Sequence, residues 1–465
     1  MNALIRGGEI VTARDKFVAD IVVEDGKIAA IGKNLPAPKG GEIIEAAGRY
    51  VIPGGIDVHT HIDMPFMGTT TCDDFETGHI AALAGGTTAH VDFVIPDRGQ
   101  NLVEALEIWQ GKARKACMDY AFHMAIVGWG PNTKKEMAEV VARGVTSFKC
   151  FFSYKGALDV DDAQFLEVMR TAKDLGALVT IHCENSEIVA SLQQQLVAAG
   201  KTAPKYHYDS RPPQVEGEGT ARAINIAGLA GDAPLYIVHL TCRDALEPMA
   251  RARSMGRRVY AETCIQYFLL DRSLYDSESF DVSKWILSPP LRDKGDQEAL
   301  WIAIRNGDLQ VVSTDHAPFR FKDQKVMGRE KFTMIPNGIP AIEERMKLLY
   351  TYGVVEGRID MNRFVEVACT NPARMFGLYP RKGTIAIGAD ADLVVWKKDG
   401  ESTISAETHH MKSDYSAFEG FKTVGGAETV LLRGSVVWRK GAFCGKKGGG
   451  QYLPRKPFEP AVYRR

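Results

Sequence analysis

The feature that most constrains this chain is an alternation. Eight strand-like runs follow one another along its middle: YVIPGGIDVHTH, GGTTAHVDFV, YAFHMAIVG, VTSFKCFF, LVTIHCE, PLYIVHL, RRVYAETC and LQVVSTDHAP. Between them lie helical stretches such as NLVEALEIWQGKARKA, DDAQFLEVMRTAKDLG, NSEIVASLQQQLVAAG, EGTARAINIAGLAG and RDALEPMARARSMG. Strand and helix in strict turn call for parallel strands with helical crossovers. Eight such units close as an α/β (β/α)8 TIM-like barrel with its helices outside. An open doubly wound sheet is the alternative, and it normally carries a Gly-rich dinucleotide turn after its first strand. Here that strand ends in His-Thr-His.

The two ends of the chain differ from the middle. ALIRGGEIV, ADIVVEDGKIAAIG and EIIEA near the start, and GTIAIGADADLVVWKK and ETVLLRGSVVWRKG after residue 380, are rich in Val and Ile and broken by turn residues. They read as one small β-sandwich domain formed from both termini, since domain termini often lie close together. The expected division is 1–52 and 379–443 for the two parts of the sandwich, 53–378 for the barrel, and 444–465 for a basic, Gly- and Pro-rich tail serving an oligomer contact.

Charge and composition exclude several classes. Lys plus Arg number 57 and Asp plus Glu 58, which is no basic footprint for nucleic acid. No apolar run approaches membrane-spanning length, and MNALIRGGEIVTARD lacks the apolar stretch of an export signal. The eight cysteines have no C-x-x-C spacing and read as reduced thiols of a cytoplasmic protein.

The chemistry sits at the strand ends. His59 and His61 are two apart at the end of the first run, and on a strand such residues face the same way. His182 ends the fifth run, His239 the sixth and Asp315 the eighth. In a barrel all ends of this polarity meet at one face. Imidazole and carboxylate suit zinc and similar divalent ions, and five such ligands exceed what one open tetrahedral site takes. They suggest two metals and a bridging anion. Lys149, at the end of the fourth run, can contribute only if its ammonium is converted to an anion.

Longer stretches carry a resemblance. PGGIDVHTHIDMPFMGTTTCDDFETG, AALAGGTTAHVDFVIP, SFKCFFSYKG, IHCEN, APLYIVHL, ILSPPLR, VVSTDHAPF, PNGIPAIEERM, NPARMFGLYPRKGTIAIGADADLVVW and RKPFEPAVY are similar to the dihydropyrimidinase/D-hydantoinase family of the amidohydrolase superfamily. The resemblance implies that Lys149 is an N6-carboxylysine bridging two ions, most simply Zn2+, with Mn2+ or Co2+ able to use the same ligands. His59, His61 and Asp315 would complete one site, and His182 and His239 the other. Asp315 would move a proton from the attacking water to the leaving ring nitrogen, and Tyr154 would stabilise the oxyanion. Backbone groups of Ser288 and Asn337 would orient a small cyclic amide, while Met64, Phe66 and Phe151 would contact its substituent. Pro65 and Phe152 are also apolar and near in sequence, but Phe152 should face the opposite side of its strand. Asp73 and Asp74 read as acids at a helix start, and His316 should point away from Asp315. The family implies a homotetramer acting on dihydropyrimidines such as dihydrouracil and dihydrothymine and on substituted hydantoins.

The alternatives are an allantoinase or dihydroorotase of the same scaffold, or a metal-free scaffold protein. A dihydroorotase usually reads its substrate's carboxylate with an Arg shortly after the second metal histidine. Here Ile62, Asp63 and Met64 follow. The scaffold proteins lack the full ligand set that this chain retains.

Overall fold

The computed structural model describes residues 2–459. Eight parallel strands, Gly55–Thr60, Thr87–Val94, Asp119–Ala125, Ser147–Phe151, Leu178–His182, Leu235–Ile237, Val259–Cys264 and Val311–Ser313, pair in chain order. All their residues are buried, as a sheet covered on both faces requires. The last strand meets the first just beyond its end: His61 N donates to His316 O at 2.8 Å, and Thr60 bridges His316 in parallel. That contact brings the ends of the array together as a nearly closed barrel.

The helices form where the sequence supplies a start and an apolar face. Asp161 and Gln164 make a reciprocal capping box at the helix Asp162–Asp174, whose Phe165, Val168, Met169 and Ala172 are buried. Asn101 and Asn185 cap the helices Leu102–Lys112 and Ser186–Ala198 through their side-chain oxygens. The fourth barrel strand demonstrates the period of two. Phe148 and Cys150 enter the layer between strands and helices, while Lys149 and Phe151 face the cavity at the barrel mouth.

Both termini share one sheet of nine strands. Its members are Ala3–Val11, Lys16–Glu24, Lys27–Gly32, Glu42–Glu45 and Tyr50–Pro53 from the start, and Leu393–Thr403, Lys422–Leu432, Ser435–Arg439 and Ala442–Phe443 from the end. The two groups join where Tyr50–Pro53 runs antiparallel to Leu393–Thr403, with Val51 opposite Val395. The sheet has its own core, including Ile5, Ile21, Val23, Leu393 and Leu431.

The tail, read from sequence as an oligomer contact, lies on its own barrel over its described length. Leu453 N donates to Tyr120 O at 2.7 Å and Phe458 N to Gly176 O at 2.9 Å, at the end of the barrel opposite the histidines. Arg455 Nη2 reaches Ser147 Oγ at 2.8 Å. Residues 460–465 lie outside the described residues.

A buried ion cluster joins barrel and sheet. Lys382 Nζ, 1 % exposed, lies 2.6 Å from Asp119 on the third barrel strand, 3.0 Å from Asp390 and 2.5 Å from Asp392 beside the terminal sheet. Removing one partner of a buried cluster strands the others. Asp119 keeps Arg433, and Asp390 keeps Lys27 and Arg381, so the loss is partial. Lys382→Met should therefore lower stability by about 3 kcal/mol, read as a shift of the denaturant midpoint.

Candidate metal centre and active site

Because all eight strands run the same way, their C-terminal ends surround one small cavity. Every residue singled out above for ligation, catalysis or substrate contact borders it. His59, His61, His182, His239, Lys149 and Asp315 form one part; Tyr154, Ser288 and Asn337 form another; Met64, Phe66 and Phe151 line the apolar wall.

His59, His61 and Asp315 offer ligand atoms that all lie within 4.8 Å of one another. Asp315 Oδ1 is 3.1 Å from His59 Nε2 and 3.2 Å from His61 Nε2. The rings of His182 and His239 lie 4.5 Å apart between centroids, and that of His239 lies 5.2 Å from that of His59. Buried ring nitrogens remain without a hydrogen bond: His59 Nε2, His61 Nδ1 and His239 Nδ1. Such nitrogens are rare without an explanation, and a cation provides one. The donor set of imidazoles and carboxylate fits zinc-like ions.

Burial sets the charge states of the metal-free protein. It pushes His61 down to about 4 and lowers His182 and His239, which leaves neutral imidazoles with lone pairs to give. Burial opposes ionisation of Asp315, but the adjacent His59 and His61 hold its carboxyl well below the usual range. Lys149 is 1 % exposed, and burial pulls its amine from 10.5 to about 8 against the opposing fields of Asp315 and Glu262. Its Nζ has no hydrogen bond or ion pair among the described residues and sits 4.8 Å from the ring centroid of Phe151.

Three non-glycine residues with left-handed backbone border the cavity. Tyr154 (φ 63°), His239 (φ 38°) and Asp315 (φ 52°) all adopt left-handed conformations, which non-glycine residues visit rarely and at a cost. His239 and Asp315 each lie two residues past the end of a short strand, so the turn off the strand aims the side chain.

Two carboxylates behind the histidines escaped the sequence reading. Glu262, fully buried on the seventh strand, hydrogen-bonds His59 Nδ1 and accepts from Tyr236 Oη at 3.0 Å and from His239 N at 3.3 Å. Glu184 lies 2.6 Å from His182 Nε2 and accepts from Arg211 Nη1, also at 2.6 Å. Glu184 follows His182 by two residues, which was a usable signal. Glu262 had no nearby partner in sequence. Each fixes the tautomer and the aim of its histidine. Ile95, Leu158, Ala317 and Gly338 complete the cavity and were also missed.

The remaining expectations divide. Phe152 faces the helices, 5.0 Å from Phe165, and Pro65 is exposed, so neither borders the cavity. Asp74 accepts from Glu76 N and Thr77 N at a helix start, as read. Asp73 does more: it accepts from Thr77 Oγ1 and lies 3.3 Å from His316 Nε2, turned away from the cavity. His79, His90, His123 and His207 are buried and hydrogen-bonded elsewhere.

Comparison with known proteins agrees with this geometry. Residues 50–437 match the amidohydrolase family. The chain belongs to that family. This amidohydrolase is 48 % identical to the D-hydantoinase of Geobacillus stearothermophilus over 460 residues, covering 98 % of this chain and 97 % of the relative. It is 41 % identical to the dihydropyrimidinase of Rattus norvegicus, covering 99 % and 90 %. The crystal structure of dihydropyrimidinase from Brevibacillus agri NCHU1002 superposes with a TM-score of 0.97 at 46 % identity, covering 99 % and 100 %. The family is metal-dependent, in keeping with the His59, His61 and Asp315 cluster. No helix among the described residues is long and apolar enough to cross a membrane.

If Glu262 aims His59 as the geometry requires, Glu262→Ala should weaken divalent-metal affinity by about 10–100-fold. Competition against a chromogenic chelator measures this, and affinity equal to that of the parent protein would show that Glu262 does not support the centre.

Proposed function

We propose that this amidohydrolase is a dihydropyrimidinase/hydantoinase. It opens the ring amide of dihydropyrimidines, such as dihydrouracil and dihydrothymine, and of substituted hydantoins, giving N-carbamoyl amino acids. The observation that carries the reading is one cavity in which four imidazoles, an ionised carboxylate and a lysine unpaired among the described residues meet a wall whose other described residues are uncharged.

His59, His61 and Asp315 would hold one divalent ion, and His182 and His239 the other. Lys149, as N6-carboxylysine, would contribute to both. Zinc suits this donor set, and manganese or cobalt could use it. Bound ions of this kind supply activation of water at neutral pH and polarisation of the carbonyl. Carboxylation of Lys149 requires its neutral amine, and the pKa near 8 keeps a useful fraction neutral at physiological pH.

The chain's own groups do the rest. Asp315 takes the proton of the attacking water as oxygen bonds to the ring carbonyl carbon. It then delivers that proton to the ring nitrogen as the C–N bond breaks. Burial raises the pKa of Tyr154, so its phenol stays protonated and donates to the developing oxyanion. Backbone groups of Ser288 and Asn337 orient the ring. Met64, Phe66 and Phe151 accept an apolar substituent, with Ile95 and Leu158 extending the same wall.

Among the described residues, no arginine lines the cavity. The nearby Arg211 is committed to Glu184. A neutral cyclic amide therefore fits better than a carboxylate-bearing ring such as dihydroorotate. The working form we propose is a homotetramer in the cytoplasm. The tetramer follows the family resemblance, and the unpaired state of all eight cysteines supports a reducing compartment.

Turnover of dihydrouracil and phenylhydantoin, followed by loss of ring absorbance, is the expected result in a panel with allantoin and dihydroorotate. Turnover confined to the latter two rules the reading out. Lys149→Ala should lose activity by several orders of magnitude, and an undiminished rate would refute the role of its carbamate. Recovery of metal-stripped protein on adding zinc should need bicarbonate. At a fixed partial pressure of CO2 it should also quicken as pH rises from about 6 to about 9, because the carbamate forms from CO2 and the neutral amine, and the lowered amine pKa makes that form more abundant in that direction. A rate independent of both would count against carboxylation.

A further inference from the structure

We infer that Lys325 is a positioning residue of the active site, drawing together the two loops, residues 286–288 and 336–338, that carry Ser288 and Asn337. The inference deepens the proposed function and rests on its assignment of those two backbones to the substrate.

Lys325 is fully buried in the short turn Lys325–Gly328, outside the cavity lining. Its Nζ donates to Ile286 O at 2.9 Å, Pro336 O at 2.7 Å and Gly338 O at 2.7 Å. Three carbonyl oxygens use three N–H donors. A neutral amine has two, and the third contact would set its lone pair against an oxygen lone pair. The contacts therefore call for the ammonium form, although burial alone pushes its pKa well below the usual range. No carboxylate pairs with Lys325 among the described residues. A buried cation held only by carbonyl dipoles is a costly arrangement, and such exceptions to the burial rules gather at functional sites.

What the ammonium fixes is the direction of peptide planes. In a trans peptide the N–H points opposite to the C=O. Anchoring Pro336 O therefore orients the Asn337 N–H. His207 Nε2 does the same for the Ser288 N–H by donating to Leu287 O at 2.8 Å. The two loops are also tied directly: Gly338 N donates to Ile286 O at 2.9 Å, and Asn337 Nδ2 to Ser288 Oγ at 2.9 Å. Gly338 has φ 141°, and a Cβ there would come within 2.3 Å of Ala317 O, so the clamped loop rests against the segment that follows Asp315.

The preceding residue extends the hub to a third cavity loop. Gln324 Nε2 donates to Thr69 Oγ1 at 2.8 Å and to Thr70 O at 2.6 Å. Thr69–Thr70 pairs with Pro65–Phe66, so the small hairpin presenting Phe66 is moored to the same turn.

Lys325→Met keeps the apolar stem and removes all three donors. In the metal-loaded full chain, KM for dihydrouracil should rise about tenfold or more with a smaller change in kcat, the pattern of lost substrate orientation. Metal content should be unchanged. Hydrogen–deuterium exchange should quicken in segments 286–288 and 336–338 and stay as in the parent elsewhere. An unchanged KM overturns the inference, and so does exchange that quickens uniformly with a falling melting temperature, since that is a merely structural role. If the Met variant does not fold, Lys325→Gln, which retains two donors, should give an intermediate KM. A parental KM in that variant overturns the inference equally. Should the parent protein fail to turn over dihydrouracil or phenylhydantoin, the function reading fails, and the exchange comparison still decides whether Lys325 orders the two loops.

Discussion

Loss of water governs the mouth of this barrel. Six groups able to carry charge face one small cavity, and burial suppresses the cationic forms of His61, His182, His239 and Lys149. Asp315 and His59 are driven the other way: the two histidine neighbours hold Asp315 ionised, and against burial the carboxylates of Asp315 and Glu262 raise His59 to about 9. The outcome in the metal-free protein is a set of neutral donors beside one His59–Asp315 ion pair, whose proton a divalent ion displaces on binding. The strained backbone at Tyr154, His239 and Asp315 is consistent with that tension, since strain persists only where surrounding structure over-determines it.

That over-determination comes from groups behind the cavity. Glu262 engages His59, Tyr236 and the backbone of His239, so one carboxylate touches both halves of the proposed two-ion arrangement. Glu184 and Arg211 form a separate support for His182. Lys325 does for the substrate-facing loops what these acids do for the histidines, using carbonyl oxygens instead of rings. A shared logic runs through all three: a buried polar group with at least two partners fixes a direction that a loop alone would leave free.

The parts of this design that could be read from sequence are those that topology decides. His59, His182, His239 and Asp315 each sit close to or just past a strand end, and a parallel barrel gathers such ends; Lys149, read from sequence as a strand end, lies at the centre of its short strand and reaches the same cavity by facing inward. The pairing of the two β-rich termini was legible for a similar reason, because Val- and Ile-rich runs at each end need partners. Glu262 was not legible, since its partners lie on other strands and nothing local distinguishes it from a surface acid. The same is true of Lys325, whose three carbonyl partners come from two distant loops. Period-two alternation assigned Phe152 to the helix side, but adjacency in sequence could not show that Pro65 would turn outward on its hairpin. The docking of the tail on its own barrel was not legible either, because a basic, Gly- and Pro-rich segment shows no periodicity, yet Leu453 and Phe458 are buried against the barrel floor.

The central claim is that these side chains collect two cations bridged through Lys149. Diffraction from crystals of zinc-loaded protein, recorded on both sides of the zinc absorption edge, tests it most directly. The account predicts two anomalous peaks in the cavity, one beside His59, His61 and Asp315 and one beside His182 and His239, with density extending from Lys149 Nζ between them. A single peak, or a lysine side chain ending at its amine with both ions in place, would contradict it.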